Sequence, residues 1–226
     1  MLSLSILKQL PHFTVQVNLQ VDNEIVVLFG PSGSGKTTIL NCIAGLVSPE
    51  QGKIVLNHQT LFGEGKKKVP VQKRNIGYLF QDYALFPHMT VQKNIAYGMK
   101  NETLANQLIE VLKIGHLLNK YPRQISGGEK QRVALTRALA SEPDVLLLDE
   151  PFSALDSNTR KECHQELLRL HKMWSIPVIM VTHDEEEAKK LGNRMIHLKD
   201  GHILREEKIE KENFSNQSEI QTTVQM

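Results

Sequence analysis

Apolar and polar residues alternate with two different periods along this chain, and these periods predict its strands and helices. A period of two over residues 12–30, broken at Asp22 and Asn23, predicts two antiparallel strands joined by a turn. Short continuous apolar runs predict buried strands, and apolar residues three and four apart predict helices. The other predicted strands are 76–80, 145–148 and 178–181 with hairpins at 53–62 and 194–205, and the predicted helical segments are 36–44, 82–123, 127–140, 159–173 and 184–191.

The two ends of the chain lack such a pattern. The first residues are mildly apolar, but Lys8, Pro11 and His12 interrupt them, and no element is assigned to residues 1–11. Residues 206–226 are polar and have no apolar period, which is typical of a flexible tail. The pattern therefore predicts one folded unit over residues 1–205, followed by a polar C-terminal tail at 206–226.

Residues 26–40 carry the strongest chemical signal. An apolar run is followed by three glycines within six residues and then by a helical pattern, the strand–loop–helix order of a phosphate-binding P-loop. Successive backbone N–H groups in such a loop form a nest for an anion, and the helix adds its positive N-terminal end. Lys36 is expected to reach the outer phosphates, and the Thr37 hydroxyl to hold Mg²⁺. The predicted nucleotide-binding residues are Gly30, Pro31, Ser32, Gly33, Ser34, Gly35, Lys36, Thr37 and Thr38.

Composition narrows the function classes further. The 27 basic and 25 acidic residues leave a net charge of +2, which does not favour nucleic acid as a partner. No apolar run approaches the length of a membrane span, and the N-terminus does not resemble a signal peptide. Cys42 and Cys163 both fall within predicted helices, where a reduced pair is expected, and the nine histidines show no metal-ligand spacing. These features predict a soluble cytosolic chain.

A second motif supplies carboxylates. The apolar run 145–148 leads directly into Asp149 and Glu150, and a strand that ends in acids is the expected companion of a P-loop. Asp149 is predicted to hold Mg²⁺ through water, and Glu150 to polarise the water that attacks the nucleotide. A strand followed by an acidic turn would be unremarkable alone, but it is improbable as a coincidence beside a P-loop.

A third motif, SGGEKQR, begins at Ser126. Ser126 is a good N-cap, Gly127 and Gly128 permit close approach of a ligand, and a helix follows at once, so this is a second helix N-terminus suited to phosphate. Two such sites in one chain, with a helical insert between them, suggest that each nucleotide is held by two chains. Read alone, the motif would be an ordinary capped helix.

Together these motifs resemble, in order and spacing, those of ATP-binding cassette (ABC) ATPases over about residues 3–205. The resemblance implies an α/β P-loop NTPase fold, with a RecA-like core, an antiparallel β subdomain and an α-helical subdomain at about 82–140. It also implies a head-to-tail homodimer, in which Ser126, Gly127 and Gly128 of one chain contact the γ-phosphate held by the other. Gln81 would sense Mg²⁺ and the attacking water, His183 would contact the γ-phosphate, and Asp156 would tie the chains together. The cofactors implied are ATP and Mg²⁺.

The adenine contact departs from the pattern of the family. Most relatives stack an aromatic residue on the base, and Phe13 is the only nearby candidate, although its spacing is not the usual one. Phe13 is equally well interpreted as a core residue of a strand.

The segment 82–91 resembles the LFPH-T-V segment of importer cassettes, which helps to form the groove for the permease; Tyr83, Phe86 and Met89 would line it. The resemblance implies an ATP-hydrolysing importer subunit at the cytoplasmic face of the membrane, bound to a separate permease and served by a separate solute-binding protein. Residues 52–99 are most similar to molybdate/sulfate-type cassettes, so molybdate or a related oxyanion is the expected cargo. The chain is also expected to lack the regulatory domain that often follows such cassettes.

Other functions stay open at this stage. The cargo could be a polyamine, a sugar or a metal. A non-transport ABC ATPase is disfavoured, since no heptad coiled coil and no second cassette are seen. A nucleotide or small-molecule kinase would not need SGGEKQR, and an inactive regulatory subunit would not need Lys36, Asp149, Glu150 and His183 together.

Overall fold

A computed structural model describes residues 1–65 and 67–210. Its strands form one ten-stranded sheet in the order β5-β4-β1-β2-β10-β9-β3-β8-β7-β6. The strands are β1 Leu2–Gln9, β2 Thr14–Val21, β3 Ile25–Phe29, β4 Gln51–Leu56, β5 Gln59–Gly63, β6 Ile76–Leu79, β7 Val145–Asp149, β8 Val178–Thr182, β9 Arg194–Lys199 and β10 His202–Lys208.

The sheet has an antiparallel half and a parallel half. β5, β4, β1 and β2 pair antiparallel, whereas β9, β3, β8, β7 and β6 are parallel to one another. β10 lies between the two halves and pairs antiparallel with β9. The parallel strands β7 and β8 are buried at every position, as expected for strands covered on both faces. The predicted α/β fold with an antiparallel β subdomain is therefore confirmed.

The predicted pairing of the strands within residues 12–30 is wrong. β2 and β3 do not form a hairpin, because β10 and β9 lie between them in the sheet. β2 buries alternate residues and belongs to the antiparallel half, while Ile25–Leu28 of β3 are all buried and require cover on both faces. The short turn at Asp22 and Asn23 thus connects two halves of the sheet rather than two paired strands.

Both ends of the chain contain more structure than the pattern predicted. The N-terminal residues form β1, in which Leu2, Leu4 and Ile6 are buried and which pairs with both β2 and β4. β10 continues to Lys208, past the predicted domain boundary at residue 205. Residues 211–226, which make up most of the predicted tail, lie outside the described part of the chain.

Six α-helices are present in the described ranges, and most begin where the sequence offers a cap. Asn101, Ser126 and Asp156 each accept a hydrogen bond from a backbone N–H in the first turn of their helix. None of the helices in these ranges has the length and hydropathy needed to cross a membrane. The helices are α1 Lys36–Ala44, α2 Val91–Ala96, α3 Glu102–Val111, α4 Gly127–Ala140, α5 Ser157–Trp174 and α6 Glu185–Leu191.

Two hydrophobic clusters cover opposite faces of the parallel strands. On β7, Leu146 and Leu148 pack in a cluster with helices α2 to α6, whereas Val145 and Leu147 pack with α1 and the antiparallel strands. This alternation follows from the period of two along a strand. The parallel strands thus lie between α1 on one side and α4, α5 and α6 on the other. The carboxyl ends of these strands are left open beside the P-loop.

The two cysteines, in α1 and α5, are buried free thiols. Burial raises the pKa of the Cys42 thiol to about 11. This position disfavours reactivity, because the thiolate is the reactive form.

Candidate nucleotide site

The predicted P-loop joins β3 to α1, and its backbone path requires glycine. Gly35 has a φ of 98°, and a Cβ there would lie 2.7 Å from Cγ2 of Val15. Gly30 lies against β9, where a Cβ would stand 2.1 Å from the carbonyl oxygen of Leu198. No side chain fits at either position, so the loop can wind tightly between the sheet and the first turn of α1.

Lys36 begins α1 and is folded back across the loop. Its Nζ donates hydrogen bonds to the carbonyl oxygens of Gly30 (2.9 Å) and Pro31 (2.8 Å). Burial lowers the pKa of the ammonium, and the nearby charges of Glu150 and Asp149 oppose that change. The cation thus sits at the mouth of the loop, where it can exchange its carbonyl partners for phosphate oxygens.

Asp149 ends β7 and is almost fully buried beside α1. Burial raises the pKa of its carboxyl, while a hydrogen bond from the Thr37 hydroxyl lowers it and the charge of Glu150 raises it further. A hydroxyl and a carboxylate are thereby brought together at the floor of the P-loop. Oxygen donors of this kind suit Mg²⁺, which uses few protein oxygens and completes its shell with water and phosphate. Within residues 1–65 and 67–210 no cluster of three or more His, Cys, Asp and Glu side chains could hold a metal.

Glu150 occupies a strained turn immediately after β7. Its φ is 47°, in the left-handed region that a glutamate rarely adopts, and its N–H donates to the carbonyl of Val181 at 3.0 Å. Nε2 of Gln81 donates to Oε2 of Glu150 at 3.2 Å, and Nδ1 of His183 lies 3.4 Å from Oε1. The structure thus brings the three predicted catalytic residues, Gln81, Glu150 and His183, into contact.

A cleft of about 350 Å³ runs along this site. The P-loop and the start of α1 form one wall, Gln81 and Glu150 another, and the turn between β1 and β2 a third. Phe13 lies in that turn, ahead of β2, and lines the cleft while also packing against the core of the antiparallel half. Leu10, Pro11 and His12, which the sequence pattern did not single out, line the cleft as well.

The SGGEKQR motif lies elsewhere on the molecule. Ser126 and Glu129 form a capping box at the start of α4, in which the Ser126 Oγ accepts from the Glu129 N–H and Oε2 of Glu129 accepts from the Ser126 N–H. Gly128 packs against Leu155, since a Cβ there would lie 2.9 Å from its Cδ2. Ser126, Gly127 and Gly128 are not among the described residues that line the P-loop cleft.

A second cavity of about 450 Å³, lined mostly by apolar side chains, opens between the helical segment and the strands. Phe86 lines it, with the Tyr97 ring at 4.6 Å and the Arg137 guanidinium 5.5 Å from the Phe86 ring centre. Tyr97 is 66% exposed and was not identified from the sequence. Of the other predicted groove residues, Tyr83 packs against the core and Met89 is absent from the described lining.

Arg74 was also missed by the sequence pattern. Arg74 is 1% exposed, and its guanidinium donates to the carbonyls of Cys42 (3.1 Å), Ile43 (2.6 Å) and Val69 (3.0 Å). It therefore satisfies the last turn of α1, the helix that begins with Lys36. The signal in the sequence was an arginine two residues before a predicted strand, which by itself is not informative.

A P-loop, an acidic strand end with Gln81 and His183 beside it, and a capped SGGEKQR helix on this mixed sheet define an ATP-binding cassette. The family model described as "ABC transporter" matches residues 14–153. The chain belongs to the ABC transporter family.

Similar proteins include two importer subunits. The molybdenum import ATP-binding protein ModC of Haemophilus influenzae is 45% identical over 93% of this chain and 61% of its own length. The sulfate/thiosulfate import ATP-binding protein CysA of a Synechocystis strain is 45% identical over 87% of this chain and 57% of its own length. The chain thus spans about 60% of the length of these relatives.

Among solved structures, the ATP-binding cassette MJ0796 has the same fold. In a dimeric post-hydrolysis state bound to ADP and Pi, it superposes with a TM-score of 0.81 at 32% identity, over 93% of this chain and all of that chain. The family and the fold that the motifs predicted are therefore confirmed.

Proposed function

We propose that this chain is the ATP-hydrolysing subunit of an importer, which couples ATP binding and hydrolysis to solute uptake through a separate permease. The observation that carries this proposal is the contact of Glu150 with both Gln81 and His183 at the edge of the P-loop cleft. A subunit that only bound nucleotide would not need a strained glutamate held between two polar side chains.

ATP binds with its phosphates in the loop formed by residues 30–38. Lys36 exchanges its contacts with Gly30 and Pro31 for phosphate oxygens, and the N–H groups at the start of α1 face the same anion. Thr37 and Asp149, with the amide oxygen of Gln81, would hold Mg²⁺, which neutralises phosphate charge when bound. Phe13 supplies an apolar surface at the mouth of the cleft, where the adenine would lie.

Hydrolysis is an in-line attack by water on the γ-phosphorus. A new bond forms between the water oxygen and phosphorus, the bond from phosphorus to the β,γ-bridging oxygen breaks, and ADP leaves with that electron pair. Glu150 orients the water and takes up its proton, while His183 and Lys36 stabilise the charge on the transferred group. Positioning and electrostatic stabilisation supply most of the rate increase.

Two copies of the chain enclose the nucleotides head to tail. This arrangement is supported by the position of Ser126, Gly127 and Gly128, which lie outside the cleft of their own chain in the described structure. Their helix N-terminus is free to face the γ-phosphate held by a second copy. Asp156, which caps α5 beside this motif, would lie at the contact between the copies. A similar cassette has been solved as a dimer bound to ADP and Pi, which supports an assembly of two copies.

The permease docks at the apolar groove around Phe86 and Tyr97, which places the subunit at the cytoplasmic face of the membrane. An exposed tyrosine packed at a tilt against a partly buried phenylalanine is typical of a protein contact. A separate solute-binding protein would deliver the cargo to the permease. The printed names of the relatives support an oxyanion cargo, molybdate or sulfate/thiosulfate.

The direct experiment is release of phosphate from ATP by the purified chain with Mg²⁺. Glu150→Gln should retain binding of a fluorescent ATP analogue but lower the rate by about 10²–10⁴-fold, because it removes the proton acceptor. Glu162→Gln, which removes the same charge from an exposed position on α5, should match the wild type. A Glu150→Gln protein that hydrolyses ATP as fast as the wild type would contradict the assignment of Glu150.

A further inference from the structure

A buried ionisable pair that the proposed mechanism does not use joins α5 to α6. Nε2 of His164 lies 3.1 Å from Oε1 of Glu187, and both side chains are 6% exposed. Such a pair is costly to bury, because both polar groups lose water and must satisfy each other. Nδ1 of His164 is also buried and has no hydrogen-bond partner within the described ranges. Because a carboxylate can only accept, Nε2 of His164 is the donor to Glu187.

Glu187 belongs to the first turn of the helix that follows His183. Asp184 caps α6 by accepting the backbone N–H of Glu187 at 3.0 Å. The main chain of Glu187 thus fixes the residue next to His183, while its side chain binds α5. A shift of Glu187 would move the start of α6 and carry His183 with it.

His164 also contacts the turn that holds Glu150. The ring of Phe152 meets the His164 ring edge to face, with 4.6 Å between ring centres, and Phe152 is 2% exposed. Phe152 follows Glu150 by only two residues, across the rigid Pro151. A single imidazole therefore touches the segment that carries Glu150 and, through Glu187, the helix that follows His183.

A second, weaker connection runs parallel to this one. Arg160, one helical turn before His164, donates to the carbonyl of Leu155 at 2.9 Å and lies 3.9 Å from Oδ2 of Asp184. Its ion pair is partly exposed and is expected to contribute little. The buried pair of His164 and Glu187 is the stronger of the two connections between α5 and α6.

We propose that His164 is a positioning residue for ATP hydrolysis, which holds His183 and Glu150 at their working separation through Glu187 and Phe152. This inference rests on the proposed hydrolysis of ATP. His164 touches neither nucleotide nor water; it acts through two neighbours. Since a displacement of about 1 Å at a reacting group can cost about 10²-fold in rate, a small shift of α6 is enough to be measured.

The test distinguishes the contributions of the two imidazole nitrogens of His164, Nδ1 and Nε2. The amide nitrogen of glutamine reaches about as far as Nε2 of histidine, whereas that of asparagine is placed nearer to Nδ1. His164→Gln should therefore keep the bond to Glu187 and retain kcat within about threefold, while His164→Asn should lower kcat by about tenfold or more. The KM for ATP should change by less than about twofold in both variants, because the P-loop is untouched.

Variants of Glu187 provide a second test if the His164 variants fold poorly. Glu187→Gln preserves the acceptor oxygen and should retain kcat, whereas Glu187→Ala should lower it as His164→Asn does. The double variant should be no slower than the slower single variant, because both changes break one interaction. His58→Asn, at an exposed hairpin turn whose φ of 69° asparagine tolerates, is the matched control.

Two results would overturn the inference. Equal kcat in His164→Gln and His164→Asn would show that the Nε2 bond does not matter, and a lowered melting temperature with unchanged kcat would make the pair purely structural. Failure of the proposed function would give a different result. In that case the wild-type chain would release phosphate from ATP no faster than Glu150→Gln does.

Discussion

Nδ1 of His183 lies 3.4 Å from Oε1 of Glu150, although the two residues come from different strand ends. Their proximity follows from the register of β7 and β8, in which Asp149 is the partner of Val181. Because parallel neighbours end at the same edge of a sheet, the residues that follow them are held side by side. The strained φ of Glu150 then turns its carboxylate towards the cleft and His183.

Removing the imidazole should slow hydrolysis without preventing binding. His183→Ala is expected to lower the rate of phosphate release by about 10–10³-fold, because it removes one group that stabilises the transferred phosphoryl charge. Binding of a fluorescent ATP analogue should be close to that of the wild type. His202→Ala, at an exposed position on β10, is the control. Equal losses of binding and rate would assign His183 to ground-state contacts instead.

Without nucleotide, the Asp149 carboxylate should lower the free energy of unfolding, although the proposed function requires it to hold Mg²⁺. Burial raises the pKa of its carboxyl, so the ionised form is disfavoured in the folded state. Asp149→Asn should therefore melt at a higher temperature than the wild type at neutral pH without nucleotide. As the pH falls through the raised pKa, the wild-type carboxyl becomes protonated and the difference should shrink. The same variant should lose the Mg²⁺ dependence of nucleotide binding.

A pH-independent difference in melting temperature would contradict this account of Asp149, and so would a variant that melts lower than the wild type throughout. Thermal scans with and without Mg-ATP provide both measurements on the same samples. The scans with Mg-ATP should show a larger gain in melting temperature for the wild type than for the variant, because only the wild type binds the nucleotide together with Mg²⁺.

Arg74 should be important for stability, although it contacts the C-terminal end of α1, opposite the end that begins with Lys36. Arg74→Met leaves the carbonyls of Cys42, Ile43 and Val69 without their buried donor, and should cost about 3 kcal/mol of unfolding free energy. Urea denaturation measures this directly. Arg205→Met, at a side chain that is 65% exposed, should change stability by less than about 0.5 kcal/mol. Equal effects of the two changes would mean that the buried guanidinium is not a structural clamp.

The apolar groove around Phe86 and Tyr97 should affect assembly with the permease rather than ATP hydrolysis. Tyr97→Glu, at a ring that is 66% exposed, should leave ATP hydrolysis by the isolated chain unchanged but prevent assembly with the permease. Phe86→Glu should act in the same way, as the Phe86 ring packs against that of Tyr97. Co-purification with the permease measures assembly. Loss of hydrolysis in the isolated variants would instead assign these rings to the core.

The sequence predicted the parts of the site that depend on local order. The P-loop, the acids after β7 and the capped helix at Ser126 each form from neighbouring residues, and local patterns identify such features well. The bounds of α4, 127–140, were predicted without error for the same reason, since Ser126 and Glu129 mark its start.

The sequence failed where distant segments had to be paired. Periodicity showed that residues 14–21 form a strand, but it could not show that β10, rather than β3, lies beside it. Lys8, Pro11 and His12 obscured β1, whose alternation of Leu2, Leu4 and Ile6 was the available signal. Arg74 and the pair of His164 and Glu187 were missed because their roles depend on burial, which a charged residue does not reveal in sequence.

The most direct test of the account is the size of Glu150→Gln in solution, measured by light scattering with and without Mg-ATP. If two copies enclose each nucleotide, a variant that binds but does not hydrolyse ATP should shift from monomer to dimer when Mg-ATP is added. Ser126→Arg, which places a bulky side chain at the start of α4, should abolish that shift while retaining nucleotide binding. Glu150→Gln that stays monomeric at saturating Mg-ATP would contradict the two-chain site.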